Sequence, residues 1–211
     1  MSDTSPPPLA PGEFFDSSAS HDGEQFEGRE FVFADVNETT GAKRSNKDVV
    51  RRIVKNSSGS ALRGKRCVVL NAAGTEITGY SRIGSAAAGA QICFPLDEYL
   101  PSAGLGNGDW GYVVVQGNAI CLTGATGSEA TSIPAGTPLI AITAAVAEET
   151  STAAANAGRL VKKISTGDAG ATRALNLLAQ VGAALSESTT DETDQDVLVN
   201  VVRKSGFYTD Y

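Results

Sequence analysis

A chain of 211 residues with a formal net charge of -7 and a sequence pI ≈ 4.8 is long enough to bury a full β core, and too acidic for general affinity for nucleic acid. Hydrophobic residues make up 41% and charged residues only 19%, so Ser, Thr, Gly and Ala must cover much of the surface, which suits short strands better than charged amphipathic helices. No run approaches the ~20 apolar residues of a membrane span and no signal-peptide pattern opens the chain, so no membrane partner is expected and synthesis in a reducing cytoplasm is.

Residues 1–28 read as an extended acidic N-terminal arm. Pro6-Pro7-Pro8 and Pro11 oppose helix, and Ser and Asp are frequent. Residues 1–30 hold seven acids against Arg29 alone, a net of -6. Residues 43–66 reverse the sign, with nine bases against Asp48, a net of +8. Such segments invite pairing, within a subunit or between neighbours, unless both are simply solvated. Phe14, Phe15 and Phe26 are the arm's candidate anchors on a partner surface. Arg44, Lys47, Arg51 and Arg52 are candidate contacts to an acidic one.

Residues 29–211 read as a β-rich body, one domain unless it divides near 144–158. Residues 31–33 form a short strand. Residues 49–55 form another, ended by the turn signal Asn56-Ser57-Ser58-Gly59. Strands follow at 66–70, 77–83 and 91–94, then a Gly-rich loop over 101–111. Residues 112–116 and 119–123 flank Gly117-Asn118, a two-residue link that predicts a hairpin. Residues 131–133 and 139–142 flank the turn Pro134-Ala135-Gly136, and strands at 159–164 and 197–203 follow. Helical signal is thin: 144–157 is Ala-rich but interrupted, and 173–185 fits a helix or a buried strand. The expected fold is mainly β, a compact β-barrel or β-sandwich of many short strands with little helix.

Catalytic signals fail one by one. The single histidine, His21, lies in the acidic arm, away from any partner for acid–base work. Cys67, Cys93 and Cys121 are odd in number, widely spaced and flanked by apolar residues, so they read as buried free thiols rather than disulfides or zinc ligands. Gly106-Asn107-Gly108-Asp109-Trp110-Gly111 matches GxGxxG, but it leads into Tyr112-Val113-Val114-Val115, a strand where a dinucleotide site needs a helix. The acid cluster 191–196 lacks the central Gly and distal Glu of a calcium loop. Asp97 and Glu98, if on a strand, point to opposite faces and cannot act as a pair. The basic run lacks the aromatics that stack bases, so no nucleic-acid partner is expected. No catalytic residue, cofactor or metal ligand is assigned, and a non-enzymatic binding protein is the expectation.

Four stretches resemble tailed-bacteriophage head decoration, or cement, proteins. They are Val54-Lys55-Asn56-Ser57-Ser58-Gly59-Ser60-Ala61-Leu62 with Gly64-Lys65-Arg66-Cys67-Val68-Val69-Leu70; Pro95-Leu96-Asp97-Glu98-Tyr99-Leu100-Pro101; Asn107 to Gly117 with Ile133-Pro134-Ala135-Gly136-Thr137-Pro138-Leu139; and, more weakly, Val181-Gly182-Ala183-Ala184-Leu185 with the last strand. The resemblance implies a β-barrel-like body on the outside of a capsid, partnered by the major capsid protein and by itself, with a homotrimer favoured. The acidic arm is the part least like that pattern. Alternatives are another virion component (tail, baseplate or head-fibre base) and a carbohydrate-binding β module that stacks sugars on Trp110 and Tyr112.

Overall fold

The computed structural model describes residues 6–80, 93–123, 133–141, 160–162, 180–186 and 195–202. It is mainly β, a curled sheet that forms a half-barrel. Among the described residues, ten strands run in the order β1 Glu30–Asn37, β2 Ala42–Asn56, β3 Cys67–Leu70, β4 Glu76–Tyr80, β5 Cys93–Pro95, β6 Trp110–Thr123, β7 Pro138–Ala141, β8 Leu160–Lys162, β9 Gln180–Ala184 and β10 Gln195–Val201. The helical element among the described residues is one short 3-10 turn in the arm, Asp22–Phe26. The Ala-rich stretch 144–157, the division near 144–158, and the start of 173–185 lie outside the described residues.

Strand β6 organises the sheet. Its first half pairs with β2, from Lys55 opposite Trp110 to Val50 opposite Gln116. Its second half pairs with β10, from Val201 opposite Gly117 to Gln195 opposite Thr123. Two circuits of strands therefore share it. One runs β6–β2–β4–β3–β5 and returns to β6 through the Leu96–Val113 bridge. The other runs β6–β8–β7–β9–β10 and returns by the β10–β6 pairing.

The expected hairpin at Gly117-Asn118 is not formed: β6 runs straight through it. Gly117 has φ +97, which lets the strand bend where it changes partner. A Cβ there would lie 2.6 Å from the Asp48 carbonyl oxygen. The glycine signal reports a close crossing of two backbones, and sequence alone does not separate that from a turn. By contrast, the turn at Pro134-Ala135-Gly136 forms as expected, with Thr137 N donating to Pro134 O at 3.2 Å and Gly136 at φ +85.

Strand alternation sorts the side chains into separate cores. Val54, Val68, Phe94, Leu96, Val113 and Val115 fill the first circuit. On the opposite faces of the same strands, Cys67, Cys93 and Val114 join Ala119, Cys121, Leu139, Val181, Val197 and Val199. All three cysteines are buried. A third core of Phe31, Ile53, Trp110 and Tyr112 lies under the arm.

Because β6 cannot bend at residue 117 with a side chain in the way, Gly117→Ala should lose about 2 kcal/mol or more of stability. The midpoint of denaturant unfolding measures this, and a substitution costing nothing would contradict the crossing.

Candidate functional site

The arm folds onto its own body. Phe15 and Trp110 exchange backbone hydrogen bonds, Phe15 N to Trp110 O at 2.9 Å and Trp110 N to Phe15 O at 3.1 Å. Tyr112 donates its hydroxyl to Leu9 O at 3.1 Å, and the Trp110 indole donates to Glu27 at 3.0 Å. Ser17 donates from both its amide and its hydroxyl to Asp109, each at 2.9 Å. Gly23 lies so close over the Trp110 ring that a Cβ would overlap it. This match between a small residue and an indole face shows that the arm's sequence is fitted to this surface.

The three predicted aromatic anchors are engaged by the chain itself. Phe14 packs on the first-circuit core. Phe15 stacks on Phe26 with ring centroids 5.8 Å apart, and Phe26 meets the edge of Phe31 at 6.4 Å. Charge attraction contributes less to this docking than the sequence suggested. An ion pair that joins the acidic first thirty residues to the basic segment, Glu30 with Arg52 at 2.6 Å, lies past the arm at the very start of β1.

The predicted cations divide into buried and exposed. The register of β1 on β2 jumps from Ala34 opposite Asp48 to Val36 opposite Lys43, so residues 44–47 of β2 bulge opposite Asp35 alone. That bulge turns Arg44 and Ser45 inward. Asp35 accepts from Arg44 Nε at 2.9 Å, from Ser45 Oγ at 2.6 Å and from Asn118 Nδ2 at 2.6 Å. Arg44 also donates to Glu98 at 2.7 Å, and the second oxygen of Glu98 accepts from the Ile120 amide. Beside this group, Arg51 donates to Asp97 at 2.5 Å while lying between the rings of Phe33 and Tyr99. Asp97 also accepts from the Gly12 amide at 2.7 Å, which ties the arm to the network. Lys47 remains exposed and lines an open groove with Asn46, Asp48, Gln116, Gly117 and Asn200.

Asp97 and Glu98 are therefore not on opposite faces of a strand. Both lie just past β5, and both are buried and paired. Sequence reasoning missed Asp35, Asp97, Glu98 and Asn118 as a unit. The apolar run Cys93-Phe94-Pro95-Leu96 before Asp97 was the available sign that these carboxylates enter the interior.

Burial opposes the charge on Arg44, but Glu98, Tyr99 and Asp35 outweigh it and raise its pKa further. Burial, then the hydrogen bond to Glu98, pushes Tyr99 up to about 12, and burial raises Tyr112 as well. With its carboxylates engaged by guanidinium, hydroxyl or N–H donors, the cluster is built to hold five segments in place: β1, β2, the segment after β5, β6 and the arm. Breaking one side of such a buried pair strands the other charge. Trp110 and Tyr112 are 1% and 0% exposed, so they offer no platform for a sugar. The GxGxxG match runs from a loop into the first two residues of β6, so a strand and not a helix follows its glycines. Among the described residues, no group of three or more His, Cys, Asp or Glu is placed to hold a metal ion.

No protein-family model matches this chain, and neither a curated protein nor a solved structure matches it.

Asp97→Ala should cost about 3–5 kcal/mol, the effect of leaving Arg51 buried and unpaired. It should also speed hydrogen exchange at Gly12; a variant of wild-type stability would contradict the role of the pair. A second expectation concerns pH. The folded-state pKa of Tyr99 is raised from 10.0, so its contribution to stability is complete below pH 10 and is lost as pH rises towards about 12. Tyr99→Phe should therefore give a shallower fall in denaturant midpoint across that window, and an unchanged slope would contradict this.

Proposed function

We propose that this chain is a virion structural protein that decorates and stabilises the outside of a tailed-phage capsid, bridging capsid subunits without catalysis. Its partners in this reading are the major capsid protein and further copies of itself. The observation that carries the reading is how the resembling stretches come together. Residues 54–62, 64–70, 95–101 and 107–117 are scattered in sequence, yet Val54, Leu62, Val68, Leu70, Leu96, Leu100, Val113 and Val115 from them pack into one core. The remaining resembling stretches, 133–139 and 181–185, place Leu139, Val181 and Ala184 in the core of the second circuit, so the resemblance falls on the buried cores of the two circuits that share β6.

The geometry suits such a task. A shell is reinforced by many weak contacts multiplied by symmetry. A subunit whose arm is already docked presents its surface without an ordering cost at each site. Arg44, Arg51 and Arg52 are held internally, so the exposed Lys43 and Lys47 of β2 are the cations available to an acidic capsid surface.

The test is binding of the purified protein to shells that lack it. Wild-type protein should bind saturably, and a double variant, Lys43→Glu with Lys47→Glu, should bind about tenfold more weakly, equivalent to ~1.4 kcal/mol. Its unfolding midpoint should be unchanged, because both side chains are exposed. Absence of binding would overturn the function, and equal binding by the variant would overturn the assigned surface.

A further inference from the structure

Strand β1 carries an open edge. Ile53 N donates to Arg29 O at 3.0 Å, which marks Arg29 and Ile53 as a hydrogen-bonded pair. Antiparallel ladders alternate, so Phe31 with Arg51 and Phe33 with Val49 carry the bonds to β2. Val32 and Ala34 then direct their N–H and C=O groups away from β2. Among the described residues, β1 has β2 as its one strand neighbour, and no described group bonds the outward backbone of Val32 or Ala34. Val32 is 43% exposed, one of three large hydrophobic side chains left exposed among the described residues, and Ala34 is exposed beside it.

We propose that two copies of this chain pair through β1, antiparallel about a two-fold axis at Phe33, so that Val32 of each copy lies opposite Ala34 of the other. This goes beyond the capsid reading and does not depend on it.

A second copy is the occupant because the edge is self-complementary in that register. Val32 and Ala34 each offer one donor and one acceptor, so the two strands exchange four hydrogen bonds. Each valine lies beside an alanine, a large residue beside a small one. Glu30 falls opposite Val36 of the partner subunit and Asp35 opposite the partner's Phe31, so no carboxylate faces another. The ladder is also bounded. The β1–β2 bulge follows Ala34, and the Tyr99 hydroxyl occupies Val36 O at 3.2 Å. Glu30 is held by Arg52 at the other end. A short edge stopped at both ends closes on a two-fold contact instead of propagating. Such a contact is weak for one pair and effective where copies crowd on a surface.

Cysteine trapping tests it. Chains carrying Val32→Cys are mixed with chains carrying Ala34→Cys under mild oxidation. Directly opposed residues in this register have Cα atoms about 5.5 Å apart, within disulfide reach, whereas like positions fall diagonally at about 7–8 Å. The native cysteines are buried and do not compete. The mixture should give a reducible dimer several-fold faster than either variant alone. No dimer, or equal rates for the single variants and the mixture, overturns the proposal. Val32→Pro supplies the second arm: it removes an outward donor that the β1–β2 ladder does not use. It should abolish self-association in sedimentation while leaving the unfolding transition in place; association that survives it also overturns the proposal.

Discussion

The carboxylate of Asp97 is where distant parts of the chain meet. One oxygen takes Arg51 from the middle of β2, the other takes the Gly12 amide from the arm, and the residue follows the short strand that closes the first circuit on β6. Its neighbour Glu98 reaches through Arg44 to Asp35 on β1 and through the Ile120 amide to the second half of β6. A charge buried in this way is tolerable only if every donor stays in place, so the network tolerates few alternative arrangements. The register of β1 on β2, the path of the arm and the point where β6 changes partner are all fixed by it.

Much of the strand content was legible. Short apolar runs marked β1, β3, β5, β10 and both halves of β6, turn signals of Asn, Ser and Gly closed β3 and the second part of β2, and loose alternation marked β4. What could not be read was continuity. Gly117-Asn118 carries the same local signal whether a strand reverses or is crossed by another backbone, and the deciding contact comes from Asp48, some seventy residues earlier. The arm posed the same problem. Its composition fits a free segment, and only the facing surface of Trp110 and Tyr112 turns Gly23, Phe15 and Leu9 into contacts.

The charge pattern was visible, but its consequence was not. An acidic arm beside a basic segment suggested that the two would pair. Instead the basic segment turns inward to carboxylates on β1 and after β5, while the arm is held by aromatic packing, backbone bonds and N–H donation to single carboxylates. A side chain placed on a strand by sequence has two faces to choose from, and the bulge at residues 44–47 made that choice. Three of the four candidate cations therefore act inside the subunit, which leaves Lys47 as the exposed one of the four.

In the function we propose, a preformed body, with its arm already docked on itself, attaches to the outer face of a capsid. Imaging of virions that contain this chain, at a resolution that traces side chains, tests it most directly. Repeated copies on the head exterior, each with its own Phe15 against its own Trp110, are expected. Density confined to the tail or the interior, or an arm crossing to a neighbouring subunit, would contradict it.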